Sequence, residues 1–258
     1  MTTTATSATT FLDDVDLGGK RLFALAVPAG APVDPAPQKD NTESGTVVGN
    51  SLVSFSALVS AQHKDDLNNS LALAQLMAVK EGNDPVNNPI AYYQYVATFL
   101  QQIGYTGQGV TFGDYTATTA SVEIDKVVLE ILGSIVAPAA LGIVEAAVKA
   151  LKSSADSGGA PWKIYDQHST TNGAGAFSVG LANETNGSVA LQVSAFSFAG
   201  TATTTKFLWM TYSATSVEIK DGSTTLSLND VIYAKIRADV QDRLGTHAIG
   251  YIANLPSL

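Results

Sequence analysis

Between residues 173 and 212 the chain reads GAGAFSVGLANETNGSVALQVSAFSFAGTATTTKFLWMTY, and its apolar positions recur at every second residue. Phe177, Val179 and Leu181 alternate with Ser178, Gly180 and Ala182. After a turn over residues 183–187, Val189, Leu191 and Val193 alternate with Ala190, Gln192 and Ser194. A period of two predicts strands with two unlike faces. The second face carries small and hydroxylated residues in place of charge: between Gln167 and Thr205 the one formal charge is Glu184. Such a sheet suits either burial under helices on both sides or alignment in a bilayer.

The remaining pattern predicts the covers. Residues 1–19 are rich in Thr and Ala, then acidic, and read as a flexible arm whose Asp13, Asp14 and Asp16 are solvated. Residues 20–27 read as a short apolar strand. Pro28, Pro32, Pro35 and Pro37 then impose an exposed loop, open to proteolysis, to about residue 42. Residues 47–62 read as a helix. So do residues 65–81, with Leu67, Leu71, Leu73, Ala74, Met77 and Ala78 at helical spacing. A third helix spans 89–105, with Pro89 in its first turn and Ile90, Tyr93, Val96, Ala97 and Leu100 on one face. Its neighbouring tyrosines 92, 93 and 95 read as packing residues.

A strand is predicted over 108–118, then a helical hairpin over 121–133 and 137–153, bent at Gly133 and Pro138. Ile124, Val127, Val128, Ile131 and Leu132 share one face, with Ser121 or Thr119 as N-cap; Leu141, Val144, Val148 and Leu151 share the other helix's face. Helices with so few polar positions are either enclosed or released onto something apolar. Strands follow at 162–169, 174–182, 188–199, 206–212 and 216–220. The run 207–210, apolar on both sides, reads as a central strand. A helix over 228–244 capped by Asn229 and a strand over 248–253 close the chain. The sum is an α/β chain: one layered domain over 20–258, a mostly antiparallel sheet flanked by helical hairpins, preceded by the arm 1–19.

Composition narrows function. The 258 residues are 45% hydrophobic, and a net charge of −9 opposes nucleic-acid binding and simple attraction to anionic lipid. With no cysteine, thiolate catalysis, disulfides and Cys-based metal sites are excluded. The start lacks the basic and apolar regions of a secretory signal. The apolar stretch 127–151 is interrupted by Glu130, Pro138 and Glu145, so it reads as buried helices. The expectation is a chain soluble as synthesised and released without a classical signal peptide.

Nothing points to an enzyme. No nucleophile elbow, Walker loop or zincin motif is present, and His63, His168 and His247 lie far apart without ligand spacing. The glycines 107, 109 and 113 lack dinucleotide-loop spacing. No cofactor or metal set is legible, and no catalytic residue is assigned. An enzyme of unfamiliar type would instead carry a deep polar pocket around a histidine.

The order of elements resembles the Cyt δ-endotoxin family, with its volvatoxin-like and bacterial virulence-factor relatives. The resemblance is carried by the segment Ser121-Val122-Glu123-Ile124-Asp125-Lys126-Val127 leading into an apolar helix. A second apolar helix, a polar loop, a strand beginning at Trp162, long weakly charged strands and the Ser216–Ile219 strand follow it. It covers roughly residues 20–230. The palmitoylated cysteine of the virulence-factor branch has no counterpart here.

The resemblance implies a cytolysin that binds the lipid membrane of a target cell directly, oligomerises on it and perforates or disrupts it. A non-lytic virulence factor, binding module or storage protein of the same fold is the alternative. Under the first reading the apolar face for insertion comprises Phe177, Val179, Leu181, Val189, Leu191, Val193, Phe196, Phe198 and Trp209. The cover helices contribute Ile124, Val127, Val128, Ile131, Leu141, Val144 and Val148.

Overall fold

The computed structural model describes residues 42–171, 174–200 and 206–253. The expected arm at 1–19, the strand at 20–27 and nearly all of the proline-rich loop lie outside these. From Ser44 the chain forms a hairpin of β1 (Ser44–Val48) and β2 (Ser51–Phe55), paired antiparallel. This corrects the helix expected over 47–62. Val47, Val48 and Val53 favour extended backbone, and Gly49 at φ 53° turns the chain. Every residue of β2 is buried, so no alternation marks it as a strand.

Helix α1 (Ala61–Lys80) begins at Ser60, whose hydroxyl accepts from the His63 amide at 3.3 Å. Helix α2 (Pro89–Gln102) packs beside it and starts on proline. Of the strand expected over 108–118 only the two residues of β4 (Gly113–Asp114) form a ladder, while β3 (Tyr105–Gly107) comes before it, at the end of the helix expected over 89–105. Strand β5 (Ser121–Glu123) leads directly into α3 (Ile124–Ile135), so neither Thr119 nor Ser121 caps that helix; Glu123 precedes it without a side-chain cap. Helix α4 (Pro138–Ser157) completes the hairpin and ends at Gly158 with φ 66°.

Two segments expected as strands are helical. Residues 160–169 form α5 (Ala160–Ser169), with Pro161 in the first turn and Trp162, Tyr165 and Ser169 buried at spacings of three and four. The run 207–210 forms a single 3₁₀ turn, Phe207–Trp209, whose Phe207 and Leu208 are buried. The turn is apolar because it is enclosed, and enclosure alone does not select a backbone geometry; α5 buries one side and exposes Lys163 and Gln167 on the other.

The long strands match the sequence pattern and extend it. After β6 (Thr170–Thr171) come β7 (Ala174–Thr185) and β8 (Ser188–Gly200), paired antiparallel along their length. Asn186 and Gly187, at φ 53° and 74°, form the two-residue turn between them. Strand β9 (Thr211–Ser213) pairs with β5, while β10 (Val217–Leu228) runs well past the expected end at 220. Gly222 permits this extension: a Cβ there would lie 2.7 Å from Val110 Cγ1 and 2.9 Å from the Thr111 carbonyl. Helix α6 (Asp230–Ala253) absorbs the strand expected over 248–253. Asn229 does sit at its start, its side chain accepting from the Ile232 amide at 3.3 Å.

The sheet order is β1-β2-β7-β8-β10-β3, with β4 also on β10 and β6 on β7. The β2–β7 pair is parallel and the other pairs are antiparallel. The result is a three-layer α/β arrangement, with one core on each side of the sheet. Helices α1, α2 and α6 supply one core, and α3, α4, α5 and the 3₁₀ turn supply the other.

Candidate functional site

The β7–β8 hairpin lies at the centre of both cores. Its register pairs Phe177 with Phe196, Val179 with Ser194, Leu181 with Gln192 and Ala182 with Leu191. Cross-strand partners share a face, as do alternate residues along a strand, while consecutive residues point to opposite faces. The nine residues expected as one apolar face therefore divide. Phe177, Val179, Leu181, Phe196 and Phe198 face α3, α4 and α5, whereas Val189, Leu191 and Val193 face α1, α2 and α6. Trp209 is not on the sheet at all; it is half-buried in the 3₁₀ turn, its ring centroid 5.1 Å from that of Trp162.

The first face is an aromatic layer. Phe177 is fully buried, with the rings of Phe196, Phe207, Tyr165 and Phe198 centred 5.1, 5.2, 6.1 and 6.2 Å away. The expected cover residues close over the same core. Ile124, Val127, Val128, Val144 and Val148 are buried in it, and Ile131 and Leu141 pack against it. The Gln192 side chain reaches the same cover, donating to the Ile135 carbonyl at the end of α3.

The opposite face mixes apolar packing with a buried polar seam. Gln75 of α1 donates to the Val48 carbonyl at 3.1 Å and to the Ser51 hydroxyl at 2.9 Å, and Ser51 and Ser178 share a 2.6 Å bond. Asn50 donates to the Ala176 carbonyl at 3.3 Å and accepts from the Tyr92 hydroxyl at 3.4 Å. Burial pushes the Tyr92 phenol well above its ordinary range, so it remains a donor.

At the turn end of the hairpin, a charged network ties three elements together. Glu184 Oε2 accepts from the Ser60 amide at 2.9 Å and lies 2.9 Å from His63 Nδ1. His63 Nε2 lies 3.5 Å from Asp230 at the start of α6. Behind them Arg237 of α6 grips buried Asp66 with two bonds of 2.7 Å and reaches Asp230 at 3.1 Å. Burial pushes the Glu184 carboxyl up, but the bonds from His63 and Ser60 outweigh it and hold it below the ordinary carboxylate value. The sequence reading missed this network. Its legible trace is Asp66, an acid within the buried stripe of α1 that includes Leu67 and Ser70.

His63, Asp66 and Asp230 bring one potential ligand atom each within 4.8 Å of one another. The Arg237 guanidinium already bonds both aspartates, so the cluster is a closed ion-pair network. The other histidines stand elsewhere: His168 closes α5 and His247 lies in α6, and burial lowers the pKa of each ring. A depression of about 130 Å³ near the far end of the hairpin is bordered by Val86, Ser197, Phe198, Glu218 and Lys220, with no histidine on its wall. Among the described residues, no helix is long and apolar enough to cross a membrane.

No family model matches the chain, and no curated protein does. Among solved structures, a δ-endotoxin is similar at 17% identity and a TM-score of 0.44, over 77% of this chain and 90% of its own. The Evf virulence factor is similar at 12% identity and a TM-score of 0.41, over 93% and 89%. The activated Cyt2Ba monomer from Bacillus thuringiensis subsp. israelensis is similar at 11% identity and a TM-score of 0.33, over 59% and 90%.

Proposed function

We propose that the protein is a membrane-disrupting, pore-forming cytolysin that acts on the lipid membrane of a target cell after release. The observation that supports this most is the β7–β8 hairpin itself. Its strands of 12 and 13 residues carry no charge other than Glu184. A bilayer-crossing strand needs roughly 9–11 residues. Strand β10, by contrast, carries Glu218, Lys220 and Asp221 and is unsuited to lipid.

In water the two helical layers cover both faces of the hairpin. At a membrane they separate from it, exposing the aromatic face of Phe177, Val179, Leu181, Phe196 and Phe198. Val189, Leu191 and Val193 leave the opposite face apolar near the turn. A lone hairpin in lipid has two unpaired edges, each a row of unsatisfied amides and carbonyls. Hairpins from several copies must therefore pair edge to edge, which makes oligomerisation part of the activity. The action is physical, and no side chain is assigned to bond-making chemistry.

The test is dye release from neutral phosphatidylcholine liposomes, with and without limited trypsin to remove residues 1–39 by cleavage after Lys39. Release at micromolar protein, accompanied by crosslinkable oligomers on the vesicles, is expected. Vesicles that stay intact under both conditions overturn the proposal and favour a non-lytic binding or storage role.

A further inference from the structure

The single charge of the β7–β8 hairpin sits next to its turn and is tied to a cover helix. We propose that Glu184 is a proton-operated latch: ionised, it holds the hairpin tip to α1, and neutralised, it frees that tip and leaves the hairpin uncharged for entry into a bilayer. This rests on the membrane-active reading above and supplies its regulation.

The geometry gives the latch two hands. Glu184 Oε2 takes the Ser60 amide and faces His63 Nδ1, both at 2.9 Å, and the His63 and Glu184 side chains are only 11% and 15% exposed. Bonds of this kind to an ionised carboxylate are about twice as strong as neutral ones. The surrounding charges are engaged elsewhere or lie beyond the histidine. On α1, Asp66 is gripped by Arg237, and burial raises the carboxyl of neighbouring Asp65. On α6, Asp230 meets Arg237 and the far nitrogen of His63.

The same end of the sheet carries a second signal. Phe55 pairs with Ala182, and Val189 pairs with Leu228, so the chain exits of β2 and β10 both lie beside the β7–β8 turn. Just beyond those exits stand Leu58 and Val231, 68% and 74% exposed, the two large apolar side chains left open among the described residues. The latched tip is therefore flanked by apolar side chains suited to first contact with lipid.

The direction of the pH effect follows from the two environments. In the closed protein the Glu184 carboxyl lies below its ordinary value, so the latch is complete above the ordinary carboxylate range and is lost as pH falls through that lowered value. In a bilayer, desolvation raises the same carboxyl. Insertion then takes up one proton and is favoured by up to about tenfold per pH unit of acidification between the two limits.

The experiment compares wild type, Glu184→Gln and His63→Ala. Hydrogen exchange is measured on the lipid-free proteins, as protection factors, and dye release from phosphatidylcholine vesicles is measured from pH 7.5 to 4. Glu184→Gln is expected to lower protection around the hairpin turn by about tenfold or more at neutral pH, leaving α4 and the centre of β8 protected. It should also release dye at neutral pH as fast as wild type does in acid. His63→Ala should loosen the turn but keep the acid dependence of release, because the charge remains. Wild-type protection or a wild-type pH profile in Glu184→Gln overturns the latch, as does a loss of protection spread evenly over the molecule. If wild type releases no dye at any pH, the membrane reading fails, and the exchange data still decide whether Glu184 holds the tip.

Discussion

Replacing Phe177 by Ala removes the ring on which the aromatic layer converges. The side chain is fully buried, and its four ring neighbours come from α5, β8 and the 3₁₀ turn. Elements anchored this independently cannot all collapse into the space left behind, so the cost belongs in the upper half of the usual range, about 4–5 kcal/mol. That is a large share of a total stability of about 5–15 kcal/mol. In guanidinium, with a denaturant dependence of roughly 4–6 kcal/mol per molar, the midpoint should fall by about 1 M. Trp162 and Trp209, the two tryptophans of the chain, both pack in this core, and Trp162 lies 5.7 Å from the Phe207 ring. Native tryptophan emission should therefore change in Phe177→Ala and not in Leu191→Ala, which cuts the opposite core. A loss below about 1 kcal/mol, or equal emission changes in both variants, would refute the assignment of these residues to separate cores.

Two further outcomes follow from the turn and the charged network. Asp66→Asn removes the buried carboxylate that takes two of the Arg237 bonds, leaves the guanidinium only the Asp230 carboxylate, and should cost about 2–3 kcal/mol in denaturant unfolding. Gly187→Ala forces an L side chain to φ 74° and should cost about 1–2 kcal/mol by the same measurement, with β7–β8 pairing retained.

The parts of the fold legible in the sequence are those where one residue type and one period agree. The alternation from Phe177 to Leu181 and from Val189 to Val193, interrupted by Asn186-Gly187, marks both strands and their turn. The stripe Ile124, Val127, Val128 likewise marks the cover helix. Segments without one clear period were opaque. Strand β2 is buried at every position, the Phe207–Trp209 turn is too short to show a period, and α5 interleaves Lys163, Asp166 and Gln167 with its few buried residues. The candidate site was half visible. Glu184 stands out as a lone charge, but its partners Ser60 and His63 come from more than 120 positions earlier, a proximity that only the fold creates. The division of the apolar residues between two faces was also hidden, because it depends on pairing Leu181 with Gln192 rather than with Leu191.

The central claim is that the covers must leave the β7–β8 hairpin before membranes are breached. An ideal Cβ on Gly45 of β1 would lie 3.1 Å from the Ala147 Cβ of α4. That is a few tenths of an ångström inside the usual disulfide spacing of about 3.5–4.5 Å, and a small outward shift of the edge strand β1 would close the difference. The chain has no native cysteine, so Gly45→Cys with Ala147→Cys creates a single reversible tether between cover and sheet. Dye release by this variant, measured oxidised and then reduced, is the most direct test. The account predicts no release while the tether is closed and wild-type release once it is reduced; equal release in both states, or none in either, would contradict it.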